Sequence, residues 1–122
     1  MRIRVLVVDD EELIQRLCRR VLSQLGCEVV CAGSSEMALN LVSDCFDWVL
    51  TDIQMPGKDG IWLAGQLKAL YPHLKIVLMT GNITEEKILR AKGLALSLLL
   101  KPFEIEGLMG IFRRQSAPAC VA

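Results

Sequence analysis

Two adjacent aspartates, Asp9-Asp10, close an apolar run near the start of the chain, and Asp52 closes another. Thr80 and the pair Lys101-Pro102 close two more. Side by side, such runs would bring three carboxylates, a hydroxyl and an ammonium group to one rim. Carboxylates about 4 Å apart repel by roughly 4 kcal/mol per pair at an effective dielectric near 20. A cluster of that kind requires a cation or raised pKa values. Mg²⁺ suits it, being hard, oxygen-seeking and content with one or two carboxylates plus waters and a phosphate. Three carboxylates are balanced by one Mg²⁺ and Lys101, which leaves a neutral site ready for an anionic phosphoryl group. The chemistry in outline is phosphoryl transfer.

These groups meet only if the runs that carry them are neighbouring parallel strands. The β-rich runs are Arg4–Val8, Glu28–Ala32, Trp48–Thr51, Lys75–Thr80 and Leu96–Leu100. Several are apolar at consecutive positions, as in Val5-Leu6-Val7-Val8 and Ile76-Val77-Leu78-Met79, the pattern of strands covered on both faces. Helix-period segments alternate with them. Ile14, Leu17, Cys18, Val21 and Leu25 form an apolar stripe ended by Gly26. Ala38, Leu41, Val42 and Cys45 form a second, behind an N-cap from Ser34-Ser35. A third runs through Leu63, Ala64, Leu67 and Leu70 to Pro72, and Thr84 can cap a fourth with Glu85 and Glu86 in its first turn. Ile105, Leu108, Met109 and Phe112 make a fifth, weakened by Gly107 and Gly110. The order is (βα)₅, which builds a doubly wound parallel sheet with helices on both faces. Ligand chemistry in such α/β sheets lies outside the carboxyl ends of the strands, where the residues above stand.

At these positions the sequence resembles the CheY-like receiver domains of two-component response regulators. The matching residues are Val7-Val8-Asp9-Asp10, the stretch Asp52-Ile53-Gln54-Met55-Pro56-Gly57-Lys58-Asp59-Gly60, then Met79-Thr80-Gly81 and Lys101-Pro102-Phe103. The resemblance spans about Ile3 to Arg114 and implies a flavodoxin-like α/β fold with strand order 2-1-3-4-5. It implies that Asp52 is the phosphoacceptor, served by a sensor histidine kinase or a histidine phosphotransfer protein. Asp9, Asp10, Asp52 and the backbone carbonyl of Gln54 would hold Mg²⁺. Lys101, Thr80 and the Gly81 backbone would steady the phosphoryl oxygens. Gln54 and Asn82 occupy the positions that modulate hydrolysis in this family, and an amide there can orient water without acting as a strong base. The switch position three residues before the lysine usually holds Tyr or Phe; here it is Leu98. Phosphorylation at Asp52 is therefore more secure than the usual route from Thr80 to the output face.

Taken singly, each residue also has an ordinary structural use. Asp9 to Glu12 could serve the N-terminus of the first helix, and Lys101 could be a surface lysine before a proline turn. Met55-Pro56 and Asp59-Gly60 are read as shaping the loop after strand three. A degenerate receiver used as a constitutive protein-interaction module is the alternative function. A phosphatase with an aspartyl nucleophile is disfavoured because Asp52-Ile53-Gln54 lacks a second carboxylate.

The chain has 122 residues with 14 Lys+Arg and 14 Asp+Glu, so its formal charge is zero. One domain is expected at that length, with residues 1–115 as the receiver and 116–122 as a short tail or the start of a linker. Direct nucleic-acid binding is not expected without a basic patch, and Arg16, Arg19 and Arg20 are read as a solvated helix face. The apolar stretch from Leu94 to Leu100 is far short of the roughly 20 residues a membrane span needs. The apolar run behind the basic N-terminus is also too short for a signal peptide, so a cytoplasmic location is expected. Five cysteines without a C-x-x-C pair, beside a single histidine, fit neither a disulfide scaffold nor a zinc site. His73 lies in a loop after Pro72, so the phosphoryl donor is expected on a partner. The output is expected through a downstream protein target or a fused output domain, and the apolar fifth strand permits a homodimer.

Overall fold

The consecutive apolar residues of the strands predict a sheet buried on both faces, and the computed structural model has that arrangement. It describes residues 2–81, 84–93 and 97–100. Five strands, β1 (Arg4–Val8), β2 (Glu28–Ala32), β3 (Trp48–Asp52), β4 (Lys75–Thr80) and β5 (Ser97–Leu100), form one parallel sheet ordered β2-β1-β3-β4-β5. Between them run α1 (Glu12–Gln24), α2 (Ser35–Leu41), α3 (Gly60–Leu70) and α4 (Glu85–Gly93). This is the flavodoxin-like α/β fold. The fifth helix expected around Ile105–Phe112, and the tail, lie outside the described residues.

Alternate residues of β1 to β4 feed two separate cores. Leu6, Val8, Val49 and Leu78 pack with Ala38 of α2 and with Ile61, Leu63, Ala64 and Leu67 of α3. Val5, Val7, Leu50, Val77 and Met79 pack on the opposite face with Cys18, Val21 and Leu22 of α1. The run Val5-Leu6-Val7-Val8 is unbroken because both faces must exclude water.

Local sequence sets the helix ends. Ser34 accepts a hydrogen bond from the Met37 amide at 3.1 Å and so caps α2. At the end of α1, Gly26 adopts φ +83°, its amide bonds the Ser23 carbonyl, and the Cys27 amide bonds the Leu22 carbonyl. That is a Schellman motif, and it turns the chain directly into β2. The second helix is shorter than its apolar spacing predicts. It stops at Leu41, Val42 turns extended, and Cys45 is exposed rather than part of the stripe. Ser43 explains the break: its hydroxyl accepts from the Cys45 amide at 3.3 Å and its carbonyl accepts from the Phe46 amide. A local turn thus competes successfully with another helical turn.

The end of the sheet remote from the strand C-termini is stitched by Asp47. Its amide donates to the Arg4 carbonyl, its carbonyl accepts from Lys75, and its carboxylate accepts from the Arg4 amide at 2.9 Å. Arg4 also lies 4.6 Å over the Phe46 ring and pairs with Glu28 at 3.2 Å. Cys27 lies near this end; burial and, secondarily, the Asp47 charge push its thiol above the ordinary value. Raising the pH from 7 to 9 in native protein should therefore let iodoacetamide modify exposed Cys45 while Cys27 stays protected, as read by peptide mass mapping.

The glycines of α3 predict opposite substitution effects. A methyl group on Gly60 would overlap the Asp52 carbonyl, whereas one on Gly65 meets nothing within 4 Å. Gly60→Ala should cost about 3 kcal/mol and lower Tm by about 10 °C. Gly65→Ala should raise stability by about 0.5–1 kcal/mol, because an interior helical glycine is entropically costly. Thermal melts of the two variants provide the measurement.

Candidate phosphoryl-transfer site

The register of the sheet sets the site. Val8 of β1 stands opposite Thr51 of β3, so the next residues along, Asp9 and Asp52, leave the sheet beside one another. Asp52 in turn pairs with Met79 of β4, which places Thr80 one step further along the same rim. Asp9, Asp52 and Thr80 are all buried, while Asp10 is exposed. Carboxylate oxygens of Asp9, Asp10, Glu11 and Asp52 all lie within 4.8 Å of one another.

Glu11 is an addition to the acids expected at the site from the sequence, where it figured only in the alternative that the Asp9–Glu12 run serves the first helix. It is the N-cap residue of α1, in extended conformation, and its side chain makes no capping bond. The extended backbone carries its carboxylate to the same cluster. Its place directly after Asp9-Asp10 was the available signal.

The supports of the two buried aspartates are local and numerous. Asp9 uses one carboxylate oxygen to accept from the Glu11 amide at 2.8 Å, a turn that leads into α1. The structural use foreseen for the Asp9–Glu12 run is thus real, and it coexists with membership of the cluster. The Asp9 carbonyl accepts from the Gln15 side-chain amide at 2.6 Å, and its own amide donates to Ala32. On the other strand, the Thr51 hydroxyl donates to the Asp52 carbonyl at 3.1 Å, and the Ile53 amide donates to Met79.

Asp59 and Gly60, expected to shape the loop after Asp52, do so here, together with Gly57 and Ser35. Gly57 adopts φ +81°, a conformation that favours glycine. Asp59 caps α3 by accepting from the Trp62 amide at 2.8 Å. The Gly60 amide closes the loop on the Ile53 carbonyl at 2.8 Å, and Ser35 ties it to α2 through the Lys58 carbonyl. Lys58 sits 5.4 Å over the Trp62 ring. Arg90 of α4 reaches Asp59 at 3.3 Å, an ion pair that no sequence spacing announced.

The structure thus brings together Asp9, Asp10 and Asp52, and it places Thr80 on their rim. Gln54 and Gly81 are exposed beside it. Asn82, Lys101 and the side chain of Leu98 lie outside the described residues, although the Leu98 backbone pairs with Leu78 in β5. All four clustered side chains offer hard oxygen donors, the donor set that Mg²⁺ takes. At separations below 4.8 Å each ionised pair repels by at least about 3.5 kcal/mol at an effective dielectric of 20, which a divalent cation would relieve. No described helix is long and apolar enough to cross a membrane.

Comparison with known proteins agrees with this geometry. Residues 5–113 match the family model of the response regulator receiver domain. Response regulator protein FleR of Pseudomonas aeruginosa is 33% identical over 118 residues, covering 95% of this chain and 25% of FleR. Regulatory protein AtoC of Escherichia coli is 33% identical over 113 residues, covering 91% of this chain and 24% of AtoC. The chain therefore spans about a quarter of the length of these two relatives. Among solved structures, chemotaxis protein CheY4 of Vibrio cholerae superposes with a TM-score of 0.87 at 27% identity, over 93% of this chain and 98% of that one. The BeF₃-activated receiver domain of DrrB gives 0.86 at 26% identity, over 93% and 97%. By sequence and by fold, the chain belongs to the response regulator receiver domain family.

Proposed function

We propose that the domain accepts a phosphoryl group on Asp52 from a phosphohistidine of a partner kinase or phosphotransfer protein, and that this switches its protein contacts. The observation that carries the reading is the set of four carboxylates within 4.8 Å, with Asp52 as the last residue of β3. An Asp52 carboxylate oxygen attacks phosphorus, the phosphorus–nitrogen bond breaks, and the electron pair returns to the imidazole, which takes a proton from solvent. Asp9, Asp10 and Asp52, with the Gln54 backbone carbonyl, would hold Mg²⁺, and Glu11 lies close enough to share that task. When bound, the ion neutralises the acids and the charge developing on the phosphoryl oxygens. Lys101 pairs with those oxygens, while the Thr80 hydroxyl and the Gly81 amide donate hydrogen bonds to them after transfer. The backbone clamps on Asp9 and Asp52 keep the carboxylates in place before the donor arrives, so little reorganisation accompanies the reaction.

The phosphorylated state ends when water attacks phosphorus and frees the Asp52 carboxylate and inorganic phosphate. The exposed Gln54 side chain and Asn82 orient that water. The site belongs to residues 1–115, with 116–122 as tail or linker. The output runs through a docked protein or a fused domain, in keeping with relatives about four times as long. Cytoplasmic placement follows from the need to meet a kinase there.

Magnesium chloride with beryllofluoride should change the fluorescence of Trp48 and Trp62 or the amide NMR shifts around Asp52, and Asp52→Asn should abolish that change. Silence of the native protein would favour a constitutive interaction module instead. Turnover of an external phosphate ester would favour a phosphatase. Mg²⁺ alone, at 100 times its Kd, should stabilise the native protein by about 2.7 kcal/mol, and Asp10→Ala should remove most of that gain in calorimetry. The half-life of the acyl phosphate, followed by loss of label, should change severalfold in Gln54→Ala and Asn82→Ala. Equal decay in all three proteins would remove the amides from the hydrolysis mechanism.

A further inference from the structure

Asp59 is shared between two helices. One carboxylate oxygen holds the first turn of α3 through the Trp62 amide, and the other meets the Arg90 guanidinium of α4 at 3.3 Å. Asp59 also ends the loop that Asp52 begins. That loop is closed on itself by the bond from the Gly60 amide to Ile53, and the Gly60 backbone lies so close to the Asp52 carbonyl that a Cβ there would overlap it. Between the two ends there is little slack: a displacement of the Asp52 backbone moves Gly60 and therefore Asp59.

On the other side of the loop the packing is open. A cleft of about 690 Å³ separates Ile53, Met55 and Pro56 from Thr84 and Glu86, and the Asp59–Arg90 pair lies along it. Among the described residues, the lining on the α4 side is polar (Thr84, Glu86 and Arg90), so the charge pair borders an open cleft. Glu86, one turn before Arg90 on α4, lines the same cleft and offers the guanidinium a second acid. The position at which an aromatic switch was expected is Leu98, which has neither a hydroxyl nor a ring to report on Thr80.

Resting on the proposed phosphorylation of Asp52, we infer that the Asp59–Arg90 ion pair is the coupling element that carries the state of Asp52 to α4. Phosphorylation shifts the loop, the loop shifts Asp59, and Arg90 follows it or transfers to Glu86. The reach of the signal to α4 is then set by a charge contact across a cleft.

The test is amide NMR of the full chain with Mg²⁺ and beryllofluoride, comparing the response of residues 53–58 with that of 85–93. In the native protein both segments should shift. Arg90→Gln should keep the loop response and lose more than half of the α4 response. Asp59→Asn should do the same while α3 stays capped, because the amide oxygen still accepts from Trp62. Arg90→Lys should restore at least half of what Arg90→Gln loses, which a purely steric role would not do. An α4 response equal to native in Arg90→Gln and Asp59→Asn, or no recovery in Arg90→Lys, overturns the coupling while leaving phosphorylation intact. A native protein silent in both segments overturns both.

Discussion

The pairing of β1 with β3 is the constraint on which the rim depends. Once Val8 stands opposite Thr51, following both strands with an aspartate brings the two carboxylates together. Asp10 and Glu11 follow within the turn into α1 and complete a cluster whose members repel one another. Such a cluster sits at the top of a sheet whose strands β1, β3 and β4 are buried on both faces, so the hydrophobic core holds the acids where their charges alone would not. The site is an electrostatic load carried by apolar packing. A cation or a phosphoryl group bound there would change that load.

The two aspartates at the centre are held in different ways. Asp9 is gripped through its own side chain and carbonyl by α1, which makes the first helix part of the site rather than mere covering. Asp52 is gripped through its backbone, by the Thr51 hydroxyl and by the close approach of Gly60. The division suits the proposed roles: the α1 side fixes Asp9, an acid proposed to hold Mg²⁺, and the α3 side fixes Asp52, the proposed phosphoacceptor. The receiver family to which the chain belongs is thus expressed here through contacts that can be named residue by residue.

Much of this was legible in the sequence where the signal was local. Unbroken apolar strands, the Ser34 cap, the Gly26 stop and the acids at strand ends depend on near neighbours or on a short repeat, and the structure agrees with them. The end of α2 was missed because apolar spacing continues through Cys45, while a Ser43 turn, worth only two hydrogen bonds, decides the matter. The place of Glu11 depended on whether α1 starts before or after it, a one-residue question that composition does not answer. Gln15 on the Asp9 carbonyl spans the turn into α1, and Arg90 on Asp59 joins two helices far apart in sequence. Their geometry exists only after the elements have packed, so no spacing in the sequence encodes it.

The Asp47 stitch at the opposite end of the sheet gives the fold a mechanical polarity. There one residue ties β1, β3 and β4 together through its amide, carbonyl and carboxylate. At the other end, β1 and β3 run into carboxylates that push apart. The sheet resembles a clamp with its pivot fastened and its jaws sprung, in which small movements at the jaws leave the pivot undisturbed. In a domain built this way, repeated phosphorylation as proposed would load the working edge while the joint that keeps the strands in register lies at the far end.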